Sequence, residues 1–216
     1  MALPLRILIV RLSSMGDIIL TTPLVRALRA RHPEAQIDFL TKRSFAPLVA
    51  DSPHLTRVIA YDPKSESLPA LAKQLRAARY THLLDLHGTL RARALRLLVP
   101  GPWRGYRKRR IEREILIRFK RNVYRDSVPE PERYFEAAAD LDVRPDGQPP
   151  EIFVHPDAQA RADAWLDKAL PGDRPLVALV PGAAHFTKRW PVESWQALAG
   201  KLGLYGDRRA SCRERV

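Results

Sequence analysis

The segment LRILIVRL, residues 5–12, is a short apolar run rich in β-branched residues. It is followed at once by apolar positions at helical spacing, Ile18, Leu20, Leu24, Val25 and Leu28. Runs of this kind, bounded by turn residues, mark strands buried on both faces, and the 3.6-residue period that follows marks the helix that covers one of those faces. The same alternation then repeats. AQIDFLT (35–41) reads as a second strand with RSFAPLVADSP (43–53) as a short helix, and LTRVIAYD (55–62) as a third strand with LPALAKQLRAARY (68–80) as its helix. THLLDLHG (81–88) is a fourth strand, leading into a helix over TLRARALRLL (89–98) that stops at Pro100-Gly101-Pro102. Strands separated by whole helices cannot be joined as hairpins, so the pattern predicts right-handed crossovers and a parallel, doubly wound α/β sheet.

The rest of the chain extends this plan. PEPERYFEAAADLDV (129–143) reads as a helix, RPDGQPPEIFVHPDAQ (144–159) has linker composition, and DAQARADAWLDKAL (157–170) is another helix. Strand, Gly-containing turn and helix then restart in RPLVALVPGAAHFTKRWPVESWQALAGKL (174–202). The expected organisation is an N-terminal Rossmann-like domain over residues 1–150, linker and helix over 151–172, and the start of a second such domain over 173–206. Residues 207–216 have neither apolar periodicity nor turn chemistry. Their end, RASCRERV, resembles an in-frame translation of a sequencing-adapter oligonucleotide, and a non-native tail is expected there. Cys212 is the only cysteine and falls in that tail, which excludes disulfide and thiol chemistry from the remainder.

The formal net charge of +13 is localised: thirteen basic residues face only Glu112 and Glu114 between Arg91 and Arg125, a net +11. No apolar run approaches the roughly 20 residues of a membrane span, and no signal peptide is legible. The expected location is cytoplasmic, with peripheral contact at the inner face of a membrane open to so basic a segment.

Three constellations carry chemistry. In RLSSMGDIILTTP, Asp17 stands at the carboxyl end of the first strand, where parallel sheets collect their ligands. Ser13, Ser14 or Asp17 can simply cap the helix, and an ionised carboxylate in a cleft can also take a proton from a hydroxyl. Gly16 stands alone, so the G-x-G-x-x-G dinucleotide fingerprint is absent. In PGAAHFTKRWP, open backbone at Gly182, Ala183 and Ala184, with Thr187 and Lys188 before a helix that Pro191 begins, suits a phosphate or forms a solvated loop. In DLHGTLRAR, Asp85 and His87 provide two metal-ligand types without a third, so a satisfied structural histidine is the simpler reading. The basic segment, with Arg91, Arg93, Arg107 and Arg110 among its candidates, fits nucleic acid, a solvated amphipathic helix through Ile111, Ile115 and Phe119, or an anionic substrate or membrane.

Taken together in order and spacing, RLSSMGDIILTTPLVRALR, LLDLHGTLRAR and PGAAHFTKRWPVESWQALA resemble the lipopolysaccharide heptosyltransferases of glycosyltransferase family nine. The resemblance spans residues 5–202. It implies two Rossmann-like domains in the GT-B arrangement and an inverting transfer of heptose from ADP-heptose to the lipopolysaccharide inner core, without metal or other cofactor. It assigns Asp17 as general base, Lys188 to the donor diphosphate, and Thr187 beside it. It also implies a nucleotide-sugar donor, an anionic lipid-linked acceptor met by the basic segment, and no nucleic acid. A family member using another nucleotide sugar, or a non-catalytic basic nucleic-acid-binding protein, is the alternative. The acidic D-[ST]-G-x-x-H-type segment of that family is not in this sequence, so little or no transferase activity is expected of these 216 residues alone.

Overall fold

The computed structural model describes residues 4–124, 127–169, 177–183 and 186–202. The chain divides into two compact units, Met1–His155 and Pro156–Val216.

In the first unit five parallel strands form one sheet: β1 (Arg6–Val10), β2 (Gln36–Lys42), β3 (Arg57–Tyr61), β4 (His82–Asp85) and β5 (Trp103–Gly105), ordered β3-β2-β1-β4-β5. Strand β1 lies at the centre, with Ile7 opposite Ile37 on one side and His82 on the other. Its side chains alternate between two cores, as the pleat requires. Ile7 and Ile9 join Phe39, Leu24, Leu28 and Tyr134 on one face, while Leu8 and Val10 join Leu40, Leu71, Leu75 and Leu95 on the other. β5 was not legible in the sequence, because three residues that follow Pro102 and end in Gly105 carry no period.

The first helix is two helices, α1 (Met15–Ile19) and α2 (Thr22–Arg31), where the apolar spacing predicts one. Pro23 is the cause: it has no N–H for the carbonyl of residue 19 and its ring would clash there. The Thr22 hydroxyl takes over the freed carbonyl, donating to Ile19 O at 2.8 Å, and Thr21 donates to Ile18 O through its hydroxyl at 2.6 Å and its backbone N at 3.0 Å. The segment after β2 is a 3₁₀ helix, Arg43–Leu48. α3 (Leu68–Ala77) and α4 (Leu90–Leu98) cover the second face, and α5 (Arg110–Phe119) follows β5. Residues Arg109 and Lys120, at either end of α5, both have left-handed backbone, with φ of 44° and 53°.

The helix expected over 129–143 is instead a single turn, α6 (Glu130–Arg133), running into a 3₁₀ segment, Tyr134–Leu141. It buries Tyr134, Phe135, Ala137, Ala138 and Leu141. These adjacent pairs exceed the one stripe a straight α-helix can bury, and the chain kinks at Ala138.

The second unit contains α7 (Pro156–Ala169), a 3₁₀ turn (Phe186–Lys188) and α8 (Val192–Lys201). The strand expected at its start is not formed at residues 177–180, since the described part of this unit offers no partner strand to pair with. Residues 170–176, Ala184 and the expected tail lie outside the described residues. Pro191 is the residue before α8, which begins at Val192, rather than its first helical residue.

Candidate active site

The strand order reverses direction between β1 and β4, so their carboxyl ends diverge and leave a crevice, the switch point where doubly wound sheets bind ligands. Asp17 and the DLHG turn both open onto this edge, one after each of the two central strands. Arg11, the residue after β1, is buried there despite its charge. Its guanidinium donates through Nη1 to Leu86 O and through Nη2 to Asp17 Oδ2 at 2.7 Å. It also lies over the Tyr134 ring, 5.7 Å from the centroid, and Tyr134 meets Tyr106 edge-on at 4.9 Å. Burial opposes the Arg11 charge, but Tyr134 and Asp17 outweigh it and hold the guanidinium protonated.

Asp17 is the third residue of α1, and its carboxylate reaches back to the capping residue. Ser14 donates to Oδ2 through its backbone N at 3.1 Å and its hydroxyl at 2.8 Å. The capping reading of this aspartate is therefore correct as far as it goes. Yet all three donors, two from Ser14 and one from Arg11, converge on Oδ2, and Oδ1 accepts no hydrogen bond from the described residues. Partial burial pushes the carboxyl up, and the Ser14 and Arg11 bonds more than reverse this, leaving it below the ordinary aspartate value. One oxygen thus holds the group in place and ionised, and the other remains open to a hydroxyl. Arg11 was missed in the sequence reading; the one available signal is a charge directly after an otherwise apolar run.

Asp85 serves the turn. Its Oδ1 accepts from the backbone N of His87 at 2.9 Å and of Gly88 at 2.8 Å, and Gly88 takes the positive φ of 56° that this turn needs. Asp85 Oδ1 is thereby committed to backbone and Oδ2 lies 3.9 Å from Arg96 Nη1, and among the described residues no three His, Cys, Asp or Glu side chains gather as a metal site. His87 departs from the expectation of a satisfied ring: its Nδ1 is buried with no partner. Burial, then the positive charges of Arg11 and Lys108, push its pKa down to about 4. In the unfolded chain this ring protonates near its ordinary 6.5, whereas the native ring stays neutral down to about 4. Its contribution to stability is therefore complete above pH 6.5 and declines as pH falls towards 4, by at most ~1.4 kcal/mol per pH unit. Urea unfolding across this range is expected to show that decline, and His87→Gln to flatten it.

The basic candidates separate. Arg93 and Arg107 line a groove of about 370 Å³ with Asp85, Arg96 and Tyr106, while Arg91 and Arg93 line a second of about 540 Å³ with Thr89 and Leu90. Arg107 is paired with Glu112 at 2.7 Å, and the side chain of Arg110 lies outside the described residues. In the second unit Thr187 and Lys188 are exposed in the 3₁₀ turn, and Arg189 Nε donates to Ala183 O at 2.8 Å, fixing the turn against the PGA backbone.

A central parallel sheet with an ionised carboxylate at its switch point, in a chain whose second unit has an exposed lysine just before a helix, fits the plan of a GT-B-type sugar transferase. The chain belongs to glycosyltransferase family 9 (heptosyltransferase), whose family model matches residues 68–206. Over 214 residues it is 28% identical to lipopolysaccharide heptosyltransferase 2 of Salmonella typhimurium, covering 92% of this chain and 60% of that protein. Its fold is similar to the glycosyl transferase family 9 of Veillonella parvula, with a TM-score of 0.77 at 22% identity, over 95% of this chain and 62% of that one. It is similar as well to the ADP-heptose lipopolysaccharide heptosyltransferase II of Escherichia coli, with a TM-score of 0.65 at 25% identity, over 94% and 62%. The chain thus spans about 60% of the length of these relatives.

Proposed function

We propose that this chain is the acceptor-side portion, with the beginning of the donor side, of an inverting heptosyltransferase. The enzyme would move heptose from ADP-heptose to the lipopolysaccharide inner core at the cytoplasmic face of the inner membrane. The observation that carries this reading is the asymmetry of Asp17. A carboxylate pinned through Oδ2 and open at Oδ1 is placed to accept a proton from an acceptor hydroxyl as that oxygen attacks the anomeric carbon. The leaving diphosphate departs from the opposite face of the sugar. It gains negative charge as the bond breaks, and Lys188, with the Thr187 hydroxyl beside it, is the group assigned to stabilise that charge in place of a metal.

The low pKa of Asp17 suits this order of events. A weak base takes the proton only once the new C–O bond has made the hydroxyl acidic, so attack leads and proton transfer follows. The donor and the metal-free mechanism rest on resemblance and on this chemistry together.

The test is transfer from ADP-heptose to a heptose-deficient lipopolysaccharide acceptor. It is run on the 216-residue chain and on a chimera in which a family relative supplies the remaining length. The chimera is expected to transfer and the 216 residues alone to give little or no product. A folded chimera that binds ADP but transfers no heptose, and instead binds an arbitrary oligonucleotide with steep salt dependence, would overturn the proposal.

A further inference from the structure

We propose that helices α4 and α5 together form the surface by which this chain lies on an anionic phospholipid bilayer. The proposal deepens the function above and rests on it, since a lipid-linked acceptor is presented at a bilayer surface. The two helices flank one groove, to which α4 contributes Arg93 and Arg96 and the start of α5 contributes Ile111 and Glu112. α4 buries Ala92 and Leu95 against the sheet and turns Leu90 and Leu97, two turns apart on its other side, to solvent at 82% and 86% exposure. On α5, Ile111 and Phe119 are 73% and 68% exposed, with Ile117 and Leu116 also exposed.

None of the described side chains of α5 is buried. A ten-residue helix is marginal in water, and an amphipathic one is ordinarily stabilised by what its apolar face meets. Arg91, Arg93, Arg113, Lys120 and Arg121 are exposed around these apolar side chains and form no ion pair among the described residues. Aliphatic and phenyl groups ringed by unpaired cations are the composition of a helix seated at the headgroup and acyl boundary. No described helix is long and apolar enough to cross a membrane, so the contact is in the plane of the surface.

Of the four aromatic residues in the basic segment, Trp103, Tyr106, Phe119 and Tyr124, only Phe119 is exposed, which is a poor stacking platform for nucleic acid. Single-stranded nucleic acid needs exposed rings on which to stack. Here the Trp103 indole is half-buried and donates to Val99 O at 2.7 Å, and Tyr106 is enclosed between Tyr134 and Glu130. The exposed apolar groups are chiefly Leu and Ile, which insert between acyl chains and stack on no base.

The test is co-sedimentation of the 216-residue chain with vesicles of phosphatidylcholine alone and of phosphatidylcholine with phosphatidylglycerol. Binding is expected only with phosphatidylglycerol and should weaken as salt rises. Each of Arg91→Gln and Arg113→Gln should lower it about fivefold. Leu97→Glu combined with Phe119→Glu should lower it at least about tenfold, with an unchanged melting temperature because both side chains are already in water. No binding to the anionic vesicles, equal binding by the double variant, or displacement of the vesicles by an oligonucleotide that binds the double variant as well as the parent would overturn the proposal. Vesicle binding requires neither donor nor turnover. Its failure with an active chimera removes the docking surface alone, and an inactive chimera that still binds vesicles removes the transferase reading alone.

Discussion

Asp17→Asn in the chimera is expected to lower kcat for heptose transfer by about 10²- to 10⁴-fold, the range for loss of a positioned general base, with donor KM little changed. Asparagine keeps the shape of the side chain and an oxygen for Ser14, so the loss isolates proton acceptance from position. Arg11 complicates the variant, because it is buried and Asp17 is its counter-charge, so melting is followed in parallel. A lower melting temperature with intact turnover would identify Asp17 as a cap and counter-ion for Arg11 and nothing more. Lost turnover in a protein that still binds ADP is the outcome that the open Oδ1 implies.

The second large effect is on stability and lies away from the crevice. Asp38, in the middle of β2, is fully buried and gathers three donors on Oδ2: Arg57 at 2.6 Å, the Tyr80 hydroxyl at 2.5 Å and Gln36 at 2.9 Å. Asp38→Ala leaves the enclosed Tyr80 hydroxyl without its acceptor, while Arg57, half exposed, can turn to water. The expected loss is about 3 kcal/mol, below the full cost of stranding a buried charge because only one of the two main partners stays dry. Tyr80→Phe is expected to cost about 1 kcal/mol, since its ring still packs and Asp38 keeps Arg57. Denaturant midpoints at neutral pH measure both. Equal losses from the two variants would show that the Tyr80–Asp38 bond alone, with nothing added by Arg57 or Gln36, accounts for what Asp38 contributes to this corner of the sheet.

Much of the frame was legible because it is periodic. β1 to β4 and the helices after them follow from apolar spacing, and Asp17 followed from its place at a strand end. What escaped has no period or depends on distant residues. β5 is three residues held by pairing with β4. The break between α1 and α2 turns on one proline, which the apolar spacing of residues 18–28 hides. Arg11, Tyr134 and Tyr106 are far apart in sequence and meet only because β1, β5 and the 3₁₀ segment after α6 converge at one end of the sheet. The basic segment was visible as charge, but its division into groove-lining, ion-paired and outward arginines is a property of the fold.

The left-handed residues at both ends of α5 set that helix apart from the sheet that carries Asp17. Arg109 and Lys120 turn the chain into and out of the helix, and its described side chains help bury no part of either core. Such an element can be lengthened, recharged or exchanged as a cassette with little disturbance to the strands. A lineage can then adapt to a different membrane-surface chemistry, or to a differently decorated acceptor, by editing this excursion while the strands are inherited unchanged.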